Sequence, residues 1–181
     1  MKIIKTSIPD VCIIEPTVLE DERGLFFECY NEEILNKVSH YKTNFVQENH
    51  SFSKANILRG LHYQIKKSQG KLLRVVNGKI YDVAVDLRKN SPTFKHWVGE
   101  FISSENKRSI WIPPGFAHGF YVISTSADVI YKVTEPYTPE YERTIAWNDM
   151  TLNISWPINT QPILSAKDQQ GKPLSEAEVF S

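Results

Sequence analysis

Apolar and polar residues alternate with a period of two along most of this chain. Such alternation predicts β-strands with one buried face, and β-branched and aromatic residues favour the same structure. Only residues 31–40 have the period of a helix. The predicted strands are residues 11–15, 24–30, 44–47, 56–58, 71–76, 79–87, 97–102, 109–112, 119–124, 127–134 and 144–147. Many short strands in one chain indicate a sandwich or a barrel.

Two further features refine the predicted strand order and its limits. Asn77-Gly78 stands between two apolar runs, and an Asn-Gly pair favours a type I′ turn with positive φ at both central residues. We therefore predict that the strands at 71–76 and 79–87 are adjacent and antiparallel. From residue 157 onward the alternation is lost, which predicts a surface loop with a short helix.

Composition narrows the classes of protein. A chain of 181 residues with 41% hydrophobic content suits one compact domain with a substantial core. Basic and acidic residues number 21 each, so no overall charge would attract nucleic acid or an anionic membrane. The N-terminus has no signal-peptide pattern, and Cys12 and Cys29 lack metal-binding spacing and are expected to be structural. These features predict a cytoplasmic protein without nucleic-acid or membrane partners.

Candidate chemistry concentrates at residues 59–64, which read Arg-Gly-Leu-His-Tyr-Gln. The imidazole of His62 can take a proton near neutral pH, and Arg59 and Lys71 can bind anions. This combination predicts proton chemistry on a charged small molecule. On a regular strand Arg59 and His62 would face opposite sides, so a pocket that contains both requires a bulge or bend at Gly60.

Ten short motifs follow one another along nearly the whole chain. They are RGLFFE (23–28), QENHS (47–51), RGLHYQ (59–64), QGKL (69–72), DVAVDLR (82–88), SPTF (91–94), PPGFAHGF (113–120), YKVT (131–134), WND (147–149) and SAKD (165–168). In this order the chain resembles the cupin-fold dTDP-4-dehydrorhamnose 3,5-epimerases of deoxysugar biosynthesis. The resemblance implies an all-β cupin, a double-stranded β-helix jelly roll with short peripheral helices. It implies one domain over residues 1–181, with extended N-terminal strands and a C-terminal loop and helix segment.

The resemblance also implies an activity. It is the inversion of C3, C5 or both in a nucleoside-diphosphate 4-keto-6-deoxy sugar, foremost dTDP-4-dehydro-6-deoxyglucose to dTDP-4-dehydrorhamnose. The proton beside a ketone is weakly acidic, so the reaction needs a base, a group that stabilises the enolate and an acid on the opposite face. By resemblance His62 is the base, Asp168 orients its imidazole, Lys71 stabilises the enolate and Tyr131 is the acid. No cofactor and no metal are implied.

Substrate-binding residues carry over from the family in the same way. They are Arg23, Arg59 and Lys167 for the diphosphate, Glu28, Gln47, Glu48 and Asn49 for the nucleoside or sugar, His118 and Glu142 around the sugar, and Tyr137 for stacking on the base. The resemblance further implies a homodimer in which the N-terminal strand region is exchanged between subunits.

Several of these residues also have purely structural interpretations. Tyr131 alternates with two valines and would by default pack in the core, Lys71 would be solvated, and His118 follows a turn signal. Asp82 and Asp86 share strand parity, which allows paired acid chemistry, but a polar strand face or ion pairing with Arg74 or Arg88 is the expected outcome.

Three other functions stay open at this point. One is a C3 or C3/C5 epimerase of a GDP-linked 4-keto-heptose in capsule biosynthesis, because the basic loop 65–68 departs from the family pattern. A second is a metal-dependent cupin. His118 matches one ligand position of such sites, but the segment at His62 has no second histidine two residues on. The third is a noncatalytic sugar-binding module.

Overall fold

The computed structural model describes residues 1–39 and 43–181, and within them the chain is mainly β. The strands are β1 Lys2–Lys5, β2 Cys12–Glu15, β3 Val18–Asp21, β4 Gly24–Phe27, β5 Gln47–Lys54, β6 Leu58–Gln64, β7 Lys71–Asn77, β8 Lys79–Asp86, β9 Trp97–Ser103, β10 Ser109–Ile112, β11 Phe116–Val122, β12 Ser126–Val133 and β13 Glu142–Thr144. The α-helices are α1 Glu32–Ser39 and α2 Ala166–Gln169, and short 3₁₀ helices span Pro139–Tyr141 and Leu174–Glu176. The predicted helix at 31–40 corresponds to α1, and His40 lies outside the described residues.

Two antiparallel sheets form the body of the fold. One has the order β1-β2-β10-β7-β12-β5, the other β13-β6-β11-β8-β9, and β3 and β4 form a separate two-stranded hairpin. Apolar side chains from both sheets share one buried cluster, which includes Leu73 and Val129 of the first sheet and Ile80, Ala84 and Phe120 of the second. The predicted all-β jelly roll is confirmed.

The predicted hairpin at Asn77-Gly78 is wrong. β7 pairs with β10 and β12 in one sheet, whereas β8 pairs with β11 and β9 in the other. Gly78 has a φ of +82°, but Asn77 does not have positive φ, so the turn is not type I′. A Cβ at Gly78 would lie 2.0 Å from the carbonyl oxygen of Ser126. The glycine therefore lets the chain pass close to β12 as it crosses between the sheets.

The limits of the strands differ most from prediction at β5. A strand was predicted at 44–47, but β5 spans Gln47–Lys54 and carries polar side chains on both faces. β1 and β3 were not predicted at all, and β6 continues to Gln64. By contrast, β10 coincides with its prediction, and the C-terminal segment is loop with the short helix α2, as expected.

The end of β8 is held by an ion-pair network around Asp86. The carboxylate accepts hydrogen bonds from Arg88, Ser91 and Thr93, and Arg88 also pairs with Asp10. Burial acts to raise the pKa of Asp86, but these hydrogen bonds outweigh it and lower the pKa to about 2. The expected pairing with Arg88 is confirmed for Asp86.

The two α-helices are short, and neither α1 nor α2 could cross a membrane; no described part of the chain contains a helix that could.

Candidate active site

A cavity of about 340 Å³ opens between the two sheets. Most of the residues that line it have polar side chains, although the strands that provide them pack apolar side chains in the neighbouring core. The lining residues are Gln47, Asn49, Ser51, Arg59, His62, Tyr63, Gln64, Gln69, Lys71, His118, Gly119, Phe120, Tyr131, Tyr137, Glu142 and Lys167. The structure thus brings most of the predicted site residues together in one place.

A bulge in β6 turns both Arg59 and His62 toward this cavity. Opposite β11, His118 faces His62 and Phe120 faces Arg59, so three steps along β6 match two steps along β11. The additional residue is accommodated at Gly60, which has a φ of +122° and whose Cβ position would lie 2.5 Å from the Cα of Gly119. The predicted irregularity at Gly60 is confirmed.

His62 forms a dyad with Asp168, which lies 106 residues further along the chain. Nε2 of the imidazole lies 2.5 Å from Oδ1 of the carboxylate. Burial acts to raise the pKa of Asp168, but the hydrogen bond from His62 outweighs it and the pKa is lowered. The ionised carboxylate therefore accepts the Nε2 proton, which leaves Nδ1 of His62 as the nitrogen that can take another.

Asp168 is fixed by the short helix α2. Ser165 caps this helix: its hydroxyl accepts the backbone N–H of Asp168 and donates to Oδ2 of the same residue. Both carboxylate oxygens are thus engaged, one by Ser165 and one by His62. Because Asp168 is almost wholly buried, it can hold the imidazole in one orientation and one tautomer.

Tyr131 lines the same cavity as His62 but belongs to the other sheet. It lies on β12 of the six-stranded sheet, whereas His62 lies on β6 of the other sheet. Val129 and Val133 are buried, and Tyr131 packs against the core cluster that contains Val129. Burial raises the pKa of Tyr131, so its phenol stays protonated at neutral pH and can act as an acid.

Lys71 begins β7 and is buried, contrary to its default interpretation as a solvated lysine. Burial lowers its pKa to about 8, while the charges of Asp82 and Glu142 act to raise it and that of Lys167 lowers it. An ammonium in such a setting interacts strongly with a developing negative charge, because little water screens it.

Several polar side chains on the cavity wall are hydrogen-bonded to one another around Glu142. Its carboxylate accepts hydrogen bonds from the ammonium of Lys167 and the hydroxyl of Tyr137, at 2.8 and 2.9 Å. Burial acts to raise the pKa of Glu142, but these two hydrogen bonds lower it. The side chain of Gln47 accepts the backbone N–H of Tyr137 and donates to Asn49. Arg59 is held by the hydroxyl of Ser53.

Three predicted substrate-binding residues lie away from the cavity. Arg23 stands in the turn between β3 and β4, where its guanidinium pairs with Asp21 and its side chain is 87% exposed. Glu28 follows β4 and accepts a hydrogen bond from Asn31. Glu48 points to the opposite face of β5 from Gln47 and pairs with Lys132.

The structure adds residues that were not among the predicted site residues. Ser51 lines the cavity and alternates with Gln47 and Asn49 on β5, so strand parity within the QENHS motif could have identified it. The side-chain amide of Gln64 donates hydrogen bonds to the backbone carbonyls of Lys67 and Pro136 and so connects the loops that flank the cavity. No pattern in the sequence indicated that role.

His118 lies on the cavity wall and forms a hydrogen bond with Asp82, which was expected to pair with an arginine. Its Nε2 lies 2.8 Å from Oδ2 of Asp82 on the neighbouring strand β8. The expected pairing of Asp82 with Arg74 or Arg88 is therefore wrong, because Asp82 points into the fold while Arg88 pairs with Asp86. Across residues 1–39 and 43–181, no group of three or more His, Cys, Asp or Glu side chains is arranged to hold a metal ion.

Comparison with known proteins gives one consistent result. The family model described as dTDP-4-dehydrorhamnose 3,5-epimerase matches residues 5–176. The enzymes of that name from Pseudomonas aeruginosa and Salmonella typhimurium are each 53% identical to this chain, over 99% of both chains for the first. For the second, the match covers 98% of this chain and 97% of the relative.

The fold is similar to a crystal structure of dTDP-6-deoxy-D-glucose-3,5-epimerase from Legionella pneumophila in complex with dTDP-4-keto-L-rhamnose. The TM-score is 0.94 at 48% identity, and the match covers 98% of this chain and 94% of that one.

Proposed function

Because the chain belongs to the dTDP-4-dehydrorhamnose 3,5-epimerase family, we propose that it inverts C3 and C5 of dTDP-4-dehydro-6-deoxyglucose with His62 as base and Tyr131 as acid. The protein is a cofactor-independent isomerase of a nucleotide sugar. The observation that carries the assignment of roles is the placement of an oriented imidazole and a protonated phenol on opposite sheets, with one cavity between them.

The chemistry follows from the C4 ketone, which acidifies the protons on both neighbouring carbons. Nδ1 of His62 removes the proton from C3 or C5, and the electron pair passes to the C4 oxygen as an enolate. The ammonium of Lys71 stabilises that charge. Tyr131 then donates its phenolic proton to the same carbon from the other side, and the configuration is inverted. Asp168 stabilises the imidazolium that forms on His62.

The remaining cavity residues have roles in binding. Arg59 and Lys167 suit the diphosphate, because a guanidinium or ammonium matches phosphate oxygens. His118 and Glu142 would lie around the sugar, Gln47 and Asn49 near the nucleoside, and Tyr137 would stack on the base. The named relatives are dTDP-sugar enzymes, and for this reason a dTDP hexose is proposed ahead of a GDP heptose.

Proton NMR in deuterated water tests this function directly. With dTDP-4-dehydro-6-deoxyglucose, the C3 and C5 proton signals are expected to disappear and dTDP-4-dehydrorhamnose to form, equally well with and without EDTA. A GDP-linked 4-keto-heptose offered in parallel is expected to keep its proton signals. Loss of the C3 signal alone would reduce the activity to a mono-epimerase, and exchange only with the heptose would overturn the proposed substrate.

We also propose that the protein is a homodimer in which the β3–β4 hairpin of one subunit reaches the site of the other. Apolar side chains on this hairpin are exposed, with Leu19 at 62% and Phe26 at 71%. The same hairpin and its end carry Arg23 and Glu28, the predicted binding residues that lie away from their own cavity. Covering the apolar residues with a second subunit would bring these charges to the partner's cavity.

Mixing two impaired variants tests the exchange. Arg23→Ala is expected to lower kcat/KM about 10- to 100-fold, because a hydrogen bond to a charged group contributes about 1.5–3 kcal/mol. When Arg23→Ala and His62→Ala subunits are unfolded and refolded together, one intact site forms in each mixed dimer. Activity should then recover to about a quarter of the wild-type value, as random pairing of subunits requires.

The control for this experiment mixes His62→Ala with Asp168→Asn, two changes within one cavity. That mixture should stay inactive whichever way the hairpin lies. An equally inactive mixture of Arg23→Ala and His62→Ala would show that Arg23 does not act across subunits.

We propose a cytoplasmic location as well. Cys12 and Cys29 are both free thiols, which is the usual state of cysteine in a reducing compartment.

A further inference from the structure

We propose that Asp82 is a positioning residue whose buried carboxylate serves as the counter-charge that keeps the ammonium of Lys71 protonated and fixes the orientation of His118. Asp82 lies on β8, has no exposed surface and is bonded to His118 on the neighbouring strand β11. The inference rests on the proposed function, in which Lys71 stabilises the enolate.

Only one oxygen of the Asp82 carboxylate accepts a hydrogen bond within the described residues. Oδ2 accepts the Nε2 proton of His118, but within the described residues Oδ1 has no hydrogen-bond partner. Burying a carboxylate oxygen without a hydrogen-bond partner lowers the stability of the folded protein. Such a group is retained where a nearby positive charge compensates it.

Lys71 is buried in the wall of the same cavity as His118, the residue to which Asp82 is hydrogen-bonded, and is the positive charge that we assign to compensate Asp82. Asp82, Glu142 and Lys167 are the charged groups that act on it, from strands β8 and β13 and from helix α2. Glu142 and Lys167 form an ion pair with each other, so their effects on Lys71 largely cancel. Asp82 is left as the uncompensated negative charge.

His118 does not compete for this charge. Burial lowers the pKa of His118, although Asp82 acts to raise it, and Lys71 and His62 lower it further. The imidazole is therefore neutral at working pH and uses Asp82 only as a hydrogen-bond acceptor. One oxygen of Asp82 fixes the tautomer of His118, and the charge of the carboxylate remains available to Lys71.

The consequence for catalysis concerns the protonation state of Lys71. Burial lowers its pKa to about 8, close to working pH, so a modest further decrease would leave much of it neutral. A neutral amine stabilises an enolate far less than an ammonium. Loss of the Asp82 charge should thus act through Lys71, without any contact between Asp82 and the substrate.

Asp82→Asn tests this without substrate. In protein labelled with ¹³C at the lysine ε-carbon, with the Lys71 signal assigned by its loss in Lys71→Met, the pKa of Lys71 should fall by about one unit or more, the lower end of the effect of a nearby opposite charge. The high-pH limb of the C3 and C5 exchange rate should move to lower pH by the same amount.

Asp86→Asn is the matched control. Asp86 lies four residues further on β8 and is equally buried, but it pairs with Arg88 outside the cavity. It should lower stability and leave both the Lys71 titration and the pH profile unchanged. If Asp82→Asn behaves like Asp86→Asn, Asp82 has only a structural role and the proposal is overturned.

Two further measurements keep the proposal testable on its own. Asp82→Ser is a second variant with a neutral side chain, to be used if the Asp82→Asn protein does not fold. In the wild-type protein, the ¹³Cγ resonance of Asp82 should shift with the same midpoint as Lys71, and a resonance that does not follow Lys71 would contradict the proposal. Because these titrations need no substrate, they stand even if the proposed substrate is wrong.

Discussion

His62→Ala is expected to lower kcat by about 10²–10⁴, the usual contribution of a positioned general base. The loss should appear equally in product formation and in the exchange of the C3 and C5 protons into deuterated water, because both begin with the same proton abstraction. KM should change little, since the arginine and lysine residues around the diphosphate are left in place.

His50→Ala is the matched control for this substitution. His50 lies on β5 with its side chain largely exposed and pairs with Asp128 at the surface, away from the cavity. It should leave both rates within about twofold of wild type, as is usual for surface substitutions. Exchange that survives His62→Ala at the wild-type rate would require a different base.

Tyr131→Phe is expected to separate two events that His62→Ala abolishes together. The base still removes the proton and can return deuterium to the same face of the carbon. Substrate should therefore exchange its C3 and C5 protons with retained configuration, while formation of the inverted product falls by about 10²–10⁴. One-dimensional NMR of the same sample measures both.

Tyr121→Phe controls for the loss of a tyrosine hydroxyl. The hydroxyl of Tyr121 donates to Asn56, and the residue is buried outside the cavity. This variant should lose a little stability, about 0.5–1.5 kcal/mol for one hydrogen bond, and keep wild-type kinetics. If Tyr131→Phe lowers exchange and inversion by the same factor, Tyr131 is not the acid.

Much of the fold could be predicted because the strands that build the core, such as β8, β10 and β11, are rich in buried apolar residues. Where that condition fails, the prediction failed as well: β5 carries polar residues on both faces because its inward positions line the cavity. The turn at Asn77-Gly78 shows a second limit of local pattern. An Asn-Gly pair favours a turn but does not determine which strands become neighbours. Here β7 pairs with β10 and β12 instead of with β8.

The site divides in the same way. Parity alone predicted the bulge at Gly60, since Arg59 and His62 could not otherwise share a cavity. The dyad of His62 with Asp168 could be inferred only from family resemblance, because 106 residues separate the two. The pairing of Asp82 with His118 was missed, because an acid in an apolar run gives no indication of which neighbouring strand will supply its partner.

The position of Asp168 also has a consequence for the order in which the site is made. The thirteen strands within residues 1–39 and 43–181 all end by Thr144, whereas the carboxylate that orients the base follows in α2. At about 5–20 residues per second, a ribosome finishes the strands that line the cavity one to several seconds before Asp168 is added. Most of the residues proposed to hold the sugar nucleotide, all but Lys167, are therefore synthesised before the carboxylate that orients the base.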